Sequence, residues 1–259
     1  MRKILVIGVG AGDPEHITMQ AVGALRRVDV FFVLDKGEVK QDLVDLRQEI
    51  LRRYAPDGGY RVVHGRDPER DRTTDAYVEA VDDWRRRRAD VCQELIAAEL
   101  ADGQTGAFLV WGDPTLYDST LAILDDIAAR GFELDIEVIP GVSSVSALVA
   151  RHRVPLNQVG RPVQITTGRR LAGAWPSDVD DVVVMLDART AFTAHTGQDA
   201  TIYWGAYLGT PDEILISGPL SEVADRIVAA RAEARERKGW IMDTYLLRRG
   251  APPASDGAP

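Results

Sequence analysis

The sequence predicts two α/β domains, the first on a mostly parallel sheet with helical crossovers and the second on a mixed sheet. Three observations predict it. At 259 residues the chain is longer than one small domain, and single cores stop growing near about 250–300 residues. Through residue 152, apolar strand-like runs alternate with amphipathic helical ones, the pattern of a parallel sheet covered by helices. After residue 162 the strands crowd together with fewer helices between them, which points to antiparallel pairs.

"KILVIGV" is the first strand, and "MQAVGALRRV" with Thr18 as N-cap is a helix. "DVFFVLD" is the second strand, ending in Asp35. "DLVDLRQEILRRY" repeats apolar residues at helical spacing, "YRVVHG" is a short strand, and residues 74–103 form a long amphipathic helix ending at Gly103. "TGAFLVWGDP" is the fourth strand, followed by helix "STLAILDDIAARG", strand "ELDIEVIPG" and helix "SSVSALVARH". "RVPLNQVGRP" reads as a linker, which gives a first domain over residues 1–152 and a second over 153–249. In the second, "VQITTG", "DVVVMLDA", "ATIYWGAYL" and "EILISG" are strands, "LSEVADRIVAARAEARERKG" is a helix and "WIMDTYLLRR" closes the fold. The small-residue, proline-rich stretch 250–259 is expected to be a disordered tail.

Composition narrows the function classes. With 45% apolar residues, 27% charged residues and no apolar run near the about 18 residues of a membrane span, no membrane partner is expected. The chain enters a strand directly, without a basic and apolar leader, and Cys92 stands alone, so a cytoplasmic location is expected. A net charge of −9 opposes binding to nucleic acid, while leaving room for an anionic small molecule held by a local arginine cluster. His16, His64, His152 and His195 are scattered, without the spacing of a metal site, so no metal is expected.

The first loop, with Gly8, Gly10 and Gly12, imitates a dinucleotide fingerprint, and Asp35 imitates its ribose-binding acid. The spacing fails, because the third glycine would fall at Asp13, where an acid followed by Pro14 opposes a diphosphate. A glycine turn serving tight geometry alone is the plain alternative. Two more loops, "WGDPTLYDST" and "PGVSSVSA", also follow strands, so three small-residue loops converge on the sheet edge where open α/β folds bind ligands.

At these residues the sequence resembles the tetrapyrrole methyltransferases that use S-adenosylmethionine. "GVGAGDP", "WGDPTLYDS" and "PGVSSVSA" look like that family's three first-domain signatures, and the likeness runs from about residue 3 to 249. "LDKGEVKQDLVDLRQEIL", "TTGRR" and "ISGPLSEVADRI" are similar to the branch that methylates C-1 of precorrin-5 with release of acetate, giving precorrin-6A. The resemblance implies S-adenosylmethionine as methyl donor, S-adenosylhomocysteine as product, a polycarboxylate tetrapyrrole as substrate, a ligand in the cleft between the domains, and a homodimer. It carries donor contacts onto Pro14, Trp111, Gly112, Asp113, Leu116, Ser143 and Ser144, with Met185, Ala206, Tyr207 and Leu208 from the second domain. In "VVVMLDA" Leu186 replaces the family's glycine, and by itself Met185 reads as a core residue.

The chemistry suits these residue types. The donor has no phosphate and presents an amino acid zwitterion, a sulfonium and an adenine, which want close main-chain donors and acceptors. Methyl transfer asks mainly for alignment, and positioning supplies about 7–11 kcal/mol of barrier lowering. Asp35 resembles a carboxylate assigned as proton acceptor in related methylases; the alternative is an acid capping the next turn. The lysine of some relatives after the third strand has no counterpart, and His64 and Arg66 stand there instead.

Carboxylates on a tetrapyrrole call for arginines, and Arg66, Arg169 and Arg170 are the substrate candidates, with Arg70, Arg72, Arg151 and Arg153 in similar loops. Tyr117 and Trp111 pack either on ligand rings or in the core. The Arg85–Arg88 run reads as a solvated helix face. The rival readings are a methylase acting at another tetrapyrrole position, on RNA or on protein, a tetrapyrrole carrier without turnover, and a nicotinamide oxidoreductase.

Overall fold

The computed structural model describes residues 1–35, 41–56, 58–69 and 77–250, with the backbone alone for Asp35, 41–43 and 77–78. The expectations for Arg70, Arg72 and the tail from residue 251 lie outside the described residues. The chain divides into two compact units, Met1–Ser143 and Ser144–Pro259.

The first unit holds strands β1 (Arg2–Gly8), β2 (Val30–Asp35), β3 (Arg61–Arg66), β4 (Thr105–Val110) and β5 (Leu134–Ile139). They form one sheet in the order β3-β2-β4-β1-β5, and every pairing is parallel. Its helices are α1 (Met19–Leu25), α2 (Gln41–Tyr54), α3 (Tyr77–Glu99) and α4 (Thr120–Ala129). Ile4, Leu5, Val6 and Ile7 are all fully buried, because both faces of β1 are covered. Leu5 and Ile7 pack with Ala21, Leu25 and Ile50 of α1 and α2. Ile4 and Val6 pack with Cys92, Ile96, Ile123 and Ile127 of α3 and α4. Each fully buried aliphatic of this kind contributes about 1.5–3 kcal/mol.

The order places β1 and β4 side by side, with the crossover after β1 on one face and the crossover after β4 on the other. Open α/β folds bind ligands beyond the carboxyl ends of the strands at such a switch point. Thr18 caps α1 by accepting the Ala21 amide at 3.1 Å. Helix α3 stops at Glu99, short of Gly103, which takes φ +82° in the turn leading to β4.

The second unit is the expected mixed sheet. Strands β6 (Val163–Thr167), β7 (Asp181–Met185), β8 (Ala200–Ala206), β9 (Ile214–Pro219) and β10 (Asp243–Arg249) lie in the order β6-β7-β10-β8-β9. Only β6 and β7 are parallel; the other neighbours are antiparallel. One face carries the core of Val182, Val184, Ile202, Trp204, Tyr245 and Leu247, closed by Ile227 of α7 (Leu220–Lys238) and Leu171 of α6 (Gly168–Gly173).

The division between units falls earlier than the linker at 153–162 that marks the boundary in the sequence. Helix α5 (Ser144–His152) packs on β8, β9 and β10 of the second sheet, and His152 Nε2 meets the Trp204 carbonyl at 3.0 Å. The stretch after it is laced to the same sheet. Arg248 donates to the carbonyls of Pro155 at 2.9 Å and Leu156 at 3.3 Å. It also pairs with buried Asp181 at 2.5 Å, which accepts the Gln158 amide at 3.1 Å. Proline and glycine mark this stretch as irregular, but irregular backbone is held wherever buried partners satisfy it.

Candidate functional site

In the first unit the three small-residue loops are joined at the sheet's carboxyl edge. Gly10, after β1, and Gly112, after β4, form an antiparallel bridge: the Gly112 amide donates to the Gly10 carbonyl at 2.8 Å and the reverse bond is 3.3 Å. The loop after β5 closes on both. A Cβ on Gly8 would stand 2.6 Å from the Gly141 nitrogen and 2.8 Å from the Gly112 oxygen. Gly8 and Gly141 are therefore demanded by contact between loops. Gly10 and Gly112 take φ +88° and +71°, which suits glycine.

Asp113 is the clasp. Its carboxylate accepts the Gly141 amide at 2.9 Å, the Thr115 amide at 2.8 Å and the Thr115 hydroxyl. Burial opposes its ionisation, but the Thr115 hydroxyl and the two amides outweigh that and hold its pKa below the ordinary value. Leu116 turns back with its amide on the Asp113 carbonyl at 3.2 Å. Trp111 is half-buried, and its indole N–H is buried with no hydrogen-bond partner among the described residues. A donor of that kind at a strand end fits a ligand that accepts a hydrogen bond there.

The first loop is not a diphosphate cradle. Asp13 caps the short 3-10 turn Pro14–His16 by accepting the Glu15 amide at 2.9 Å, and α1 begins only at Met19. The α-helix that follows this loop does not open on its glycines, so the anion-binding geometry of a dinucleotide fingerprint is not formed there. The Pro14 carbonyl accepts the Tyr54 hydroxyl at 3.3 Å, which ties this turn to α2.

Of the other candidates in this unit, Asp35 ends β2 in register with Arg66 at the end of the neighbouring β3. The Asp35 side chain lies outside the described residues. Arg66 is exposed, and Tyr117 is 45% exposed in the left-handed region at φ +53°. Ser143 closes the unit, half-buried.

The remaining candidates belong to the second unit. The Ser144 hydroxyl accepts from the Thr244 hydroxyl at 3.4 Å. Met185 ends β7, half-buried, between Thr167 and Thr244 of the flanking strands. Leu186, the residue in place of a glycine, sits at φ +54° and is exposed, so the turn keeps a glycine-like backbone at some cost in strain. Ala206, Tyr207 and Leu208 are buried, and the Tyr207 hydroxyl is engaged by the Trp240 carbonyl at 2.6 Å. These three can offer a ligand little beyond main chain. Arg169 and Arg170 are exposed on α6. Arg151 donates to Glu213 at 2.6 Å.

Three arrangements escape sequence reasoning. After Met185, buried Asp187 accepts the Tyr245 hydroxyl and the Ala191 amide, each at 2.6 Å, and the Arg189 amide at 2.9 Å, fixing the turn. Nearby, Asp243 accepts from Arg231 and from the Trp204 indole, each at 3.0 Å. In the first unit, Arg88 departs from the solvated face expected of the Arg85–Arg88 run and is buried against Asp67. The signal was hidden because Arg88 shares its charge and helical setting with exposed neighbours.

A family model described as Tetrapyrrole (Corrin/Porphyrin) Methylases matches residues 3–224. The chain is 51% identical over 252 residues to a Precorrin-6A synthase [deacetylating] of Sinorhizobium sp, covering 97% of each chain. It superposes with a TM-score of 0.82 and 38% identity on a cobalamin synthesis related protein (CobF) of Corynebacterium diphtheriae, covering 96% of this chain and 99% of that one. A uroporphyrin-III C-methyl transferase of Thermus thermophilus, complexed with S-adenyl homocysteine, shares the fold at 19% identity and a TM-score of 0.55, with 95% and 97% of the two chains covered.

Proposed function

Because the chain belongs to the tetrapyrrole (corrin/porphyrin) methylases, we propose that it acts as a precorrin-6A synthase of cobalamin biosynthesis, methylating C-1 of precorrin-5 with release of acetate. The 51% identity over nearly the whole length of both chains carries this reading.

S-adenosylmethionine supplies the electrophilic methyl group. The residues present fit it: Trp111 has an unpartnered indole N–H, and Gly112 carries no Cβ to bar a ligand from the loop. Pro14, Leu116, Ser143 and Ser144, with Met185 and the backbone of Ala206 to Leu208, complete the proposed donor contacts. Asp113 is assigned an indirect part, since all its described bonds are within the loops it fastens. Preset loops hold the reacting carbons in line without reorganising, where most of the catalytic gain of a displacement lies. Asp35, at the carboxyl end of β2, takes the proton that leaves the ring system or orients the water consumed in deacetylation. Arg66, Arg169 and Arg170 are assigned to substrate carboxylates and Tyr117 to a ring face. The same reading makes the protein a cytoplasmic homodimer that needs no metal. Among the described residues, no helix is long and apolar enough to cross a membrane.

The test is incubation of the purified protein with precorrin-5 and S-adenosylmethionine labelled in the methyl group. Mass spectrometry is expected to show one labelled methyl in the product and one acetate released. A labelled product that retains the acetyl unit would move the chain to another methylation position; binding without turnover would make it a carrier.

A further inference from the structure

Arg85, Arg86 and Arg87 behave as a solvated face, pairing with Asp82 and Asp83 at 2.9–4.0 Å. Arg88 does not. Its side chain is 9% exposed and pairs at 2.8 Å with Asp67, whose side chain is 7% exposed, and its guanidinium lies 4.7 Å over the Trp84 ring. The same guanidinium donates to the Ser119 hydroxyl at 2.8 Å. Ser119 occupies the N-cap of α4 and makes no side-chain capping bond, so its hydroxyl serves Arg88 instead of the helix.

The partners of Arg88 come from two places that matter. Asp67 directly follows Arg66, the substrate candidate at the end of β3. Ser119 ends the loop that begins at Trp111 and Gly112. Neighbouring side chains of α3 strengthen the first attachment: Trp84 donates to the Pro68 carbonyl at 2.9 Å and Arg87 to the Glu69 carbonyl at 3.0 Å. A desolvated guanidinium is costly, and an apolar filling of that volume would often pack as well, so its return lies in geometry.

We propose that Arg88 is a positioning residue that sets the donor loop after β4 and the Arg66-bearing end of β3 at a fixed separation, through one buried guanidinium shared by Ser119 and Asp67. This rests on the reading that the β4 loop holds the methyl donor and Arg66 a substrate carboxylate. Arginine suits the task because its planar fork serves two acceptors at once, whereas lysine presents a single charged point.

The experiment compares wild type with Ser119→Ala, Asp67→Asn and Arg88→Lys. It reads thermal midpoint, S-adenosylhomocysteine affinity by calorimetry, and kcat and KM for precorrin-5. Ser119→Ala removes one hydroxyl and leaves the buried pair intact. It is expected to weaken S-adenosylhomocysteine binding about threefold to tenfold and to lower the midpoint as well, since a buried guanidinium N–H loses its acceptor. Asp67→Asn is expected to raise KM about tenfold with S-adenosylhomocysteine affinity within about twofold of wild type. Arg88→Lys, retaining the charge, is expected to hold the midpoint near that of wild type while kcat/KM falls. Variants that shift only the midpoint, with affinity and kcat/KM at wild-type values, overturn the proposal. Wild-type protein that fails to bind S-adenosylhomocysteine overturns the donor assignment, and the proposal with it.

Discussion

The carboxylate of Asp113 accepts the backbone amide of Gly141 at 2.9 Å, so an acid in one loop fixes the main chain of another. Asp113→Asn weakens this charge-assisted clasp, and S-adenosylhomocysteine affinity is expected to fall about threefold to tenfold by calorimetry. The folded pKa lies below the ordinary 3.8. The carboxylate's contribution to stability is therefore complete above the unfolded value and is lost as pH falls through the folded one. The difference in thermal midpoint between wild type and variant is expected to hold near neutral pH and to close as pH falls below the ordinary carboxylate value and through the lower folded one. A difference unchanged there would show that the charge is not what the clasp uses.

Gly8 cannot carry a side chain, since its Cβ would press on the Gly141 nitrogen and the Gly112 oxygen, both backbone atoms. Gly8→Ala is expected to lose about 1–3 kcal/mol in urea unfolding and to weaken donor binding in parallel. Wild-type stability with weakened binding would place the strain on the ligand instead.

Asp35 stands at the carboxyl end of β2, opposite Arg66 in register. Asp35→Asn removes a base and keeps the shape. Product formation is expected to fall about a hundredfold or more while donor affinity stays within about twofold. Wild-type turnover would remove Asp35 from the mechanism.

Tyr245 is fully buried and gives its hydroxyl to Asp187 at 2.6 Å, and burial first, then the Asp187 charge, pushes its pKa far up. Tyr245→Phe leaves that carboxylate short of a donor. A loss of about 1–3 kcal/mol is expected in denaturant unfolding, with no change in far-ultraviolet circular dichroism. A neutral effect would mean that water replaces the hydroxyl.

Cys92 is 2% exposed on the buried side of α3, and burial raises its thiol to about 11. Since the thiolate is the reactive form, alkylation at about pH 8 is expected to proceed only as fast as the chain opens. Rapid labelling of the native protein would place α3 in a looser state than its packing shows.

The pattern of the chain was enough to locate strands β1 to β9 and the long helices, because burial on two faces forces continuous apolar runs such as Ile4 to Ile7. It also brought forward the three glycine-bearing loops, since tight turns demand particular residue types at particular places. It could not show that Gly10 would meet Gly112, that α5 would join the second sheet, or that Arg88 would differ from Arg87. Each of those depends on strand order and on partners distant in the chain. The sequence alone determined the elements, the family and the loops that carry its signatures, because these are written in local pattern. Only the tertiary structure decided which loops are fastened together and which arginine is buried, because β1 lies between β4 and β5 and brings their ends within hydrogen-bonding reach.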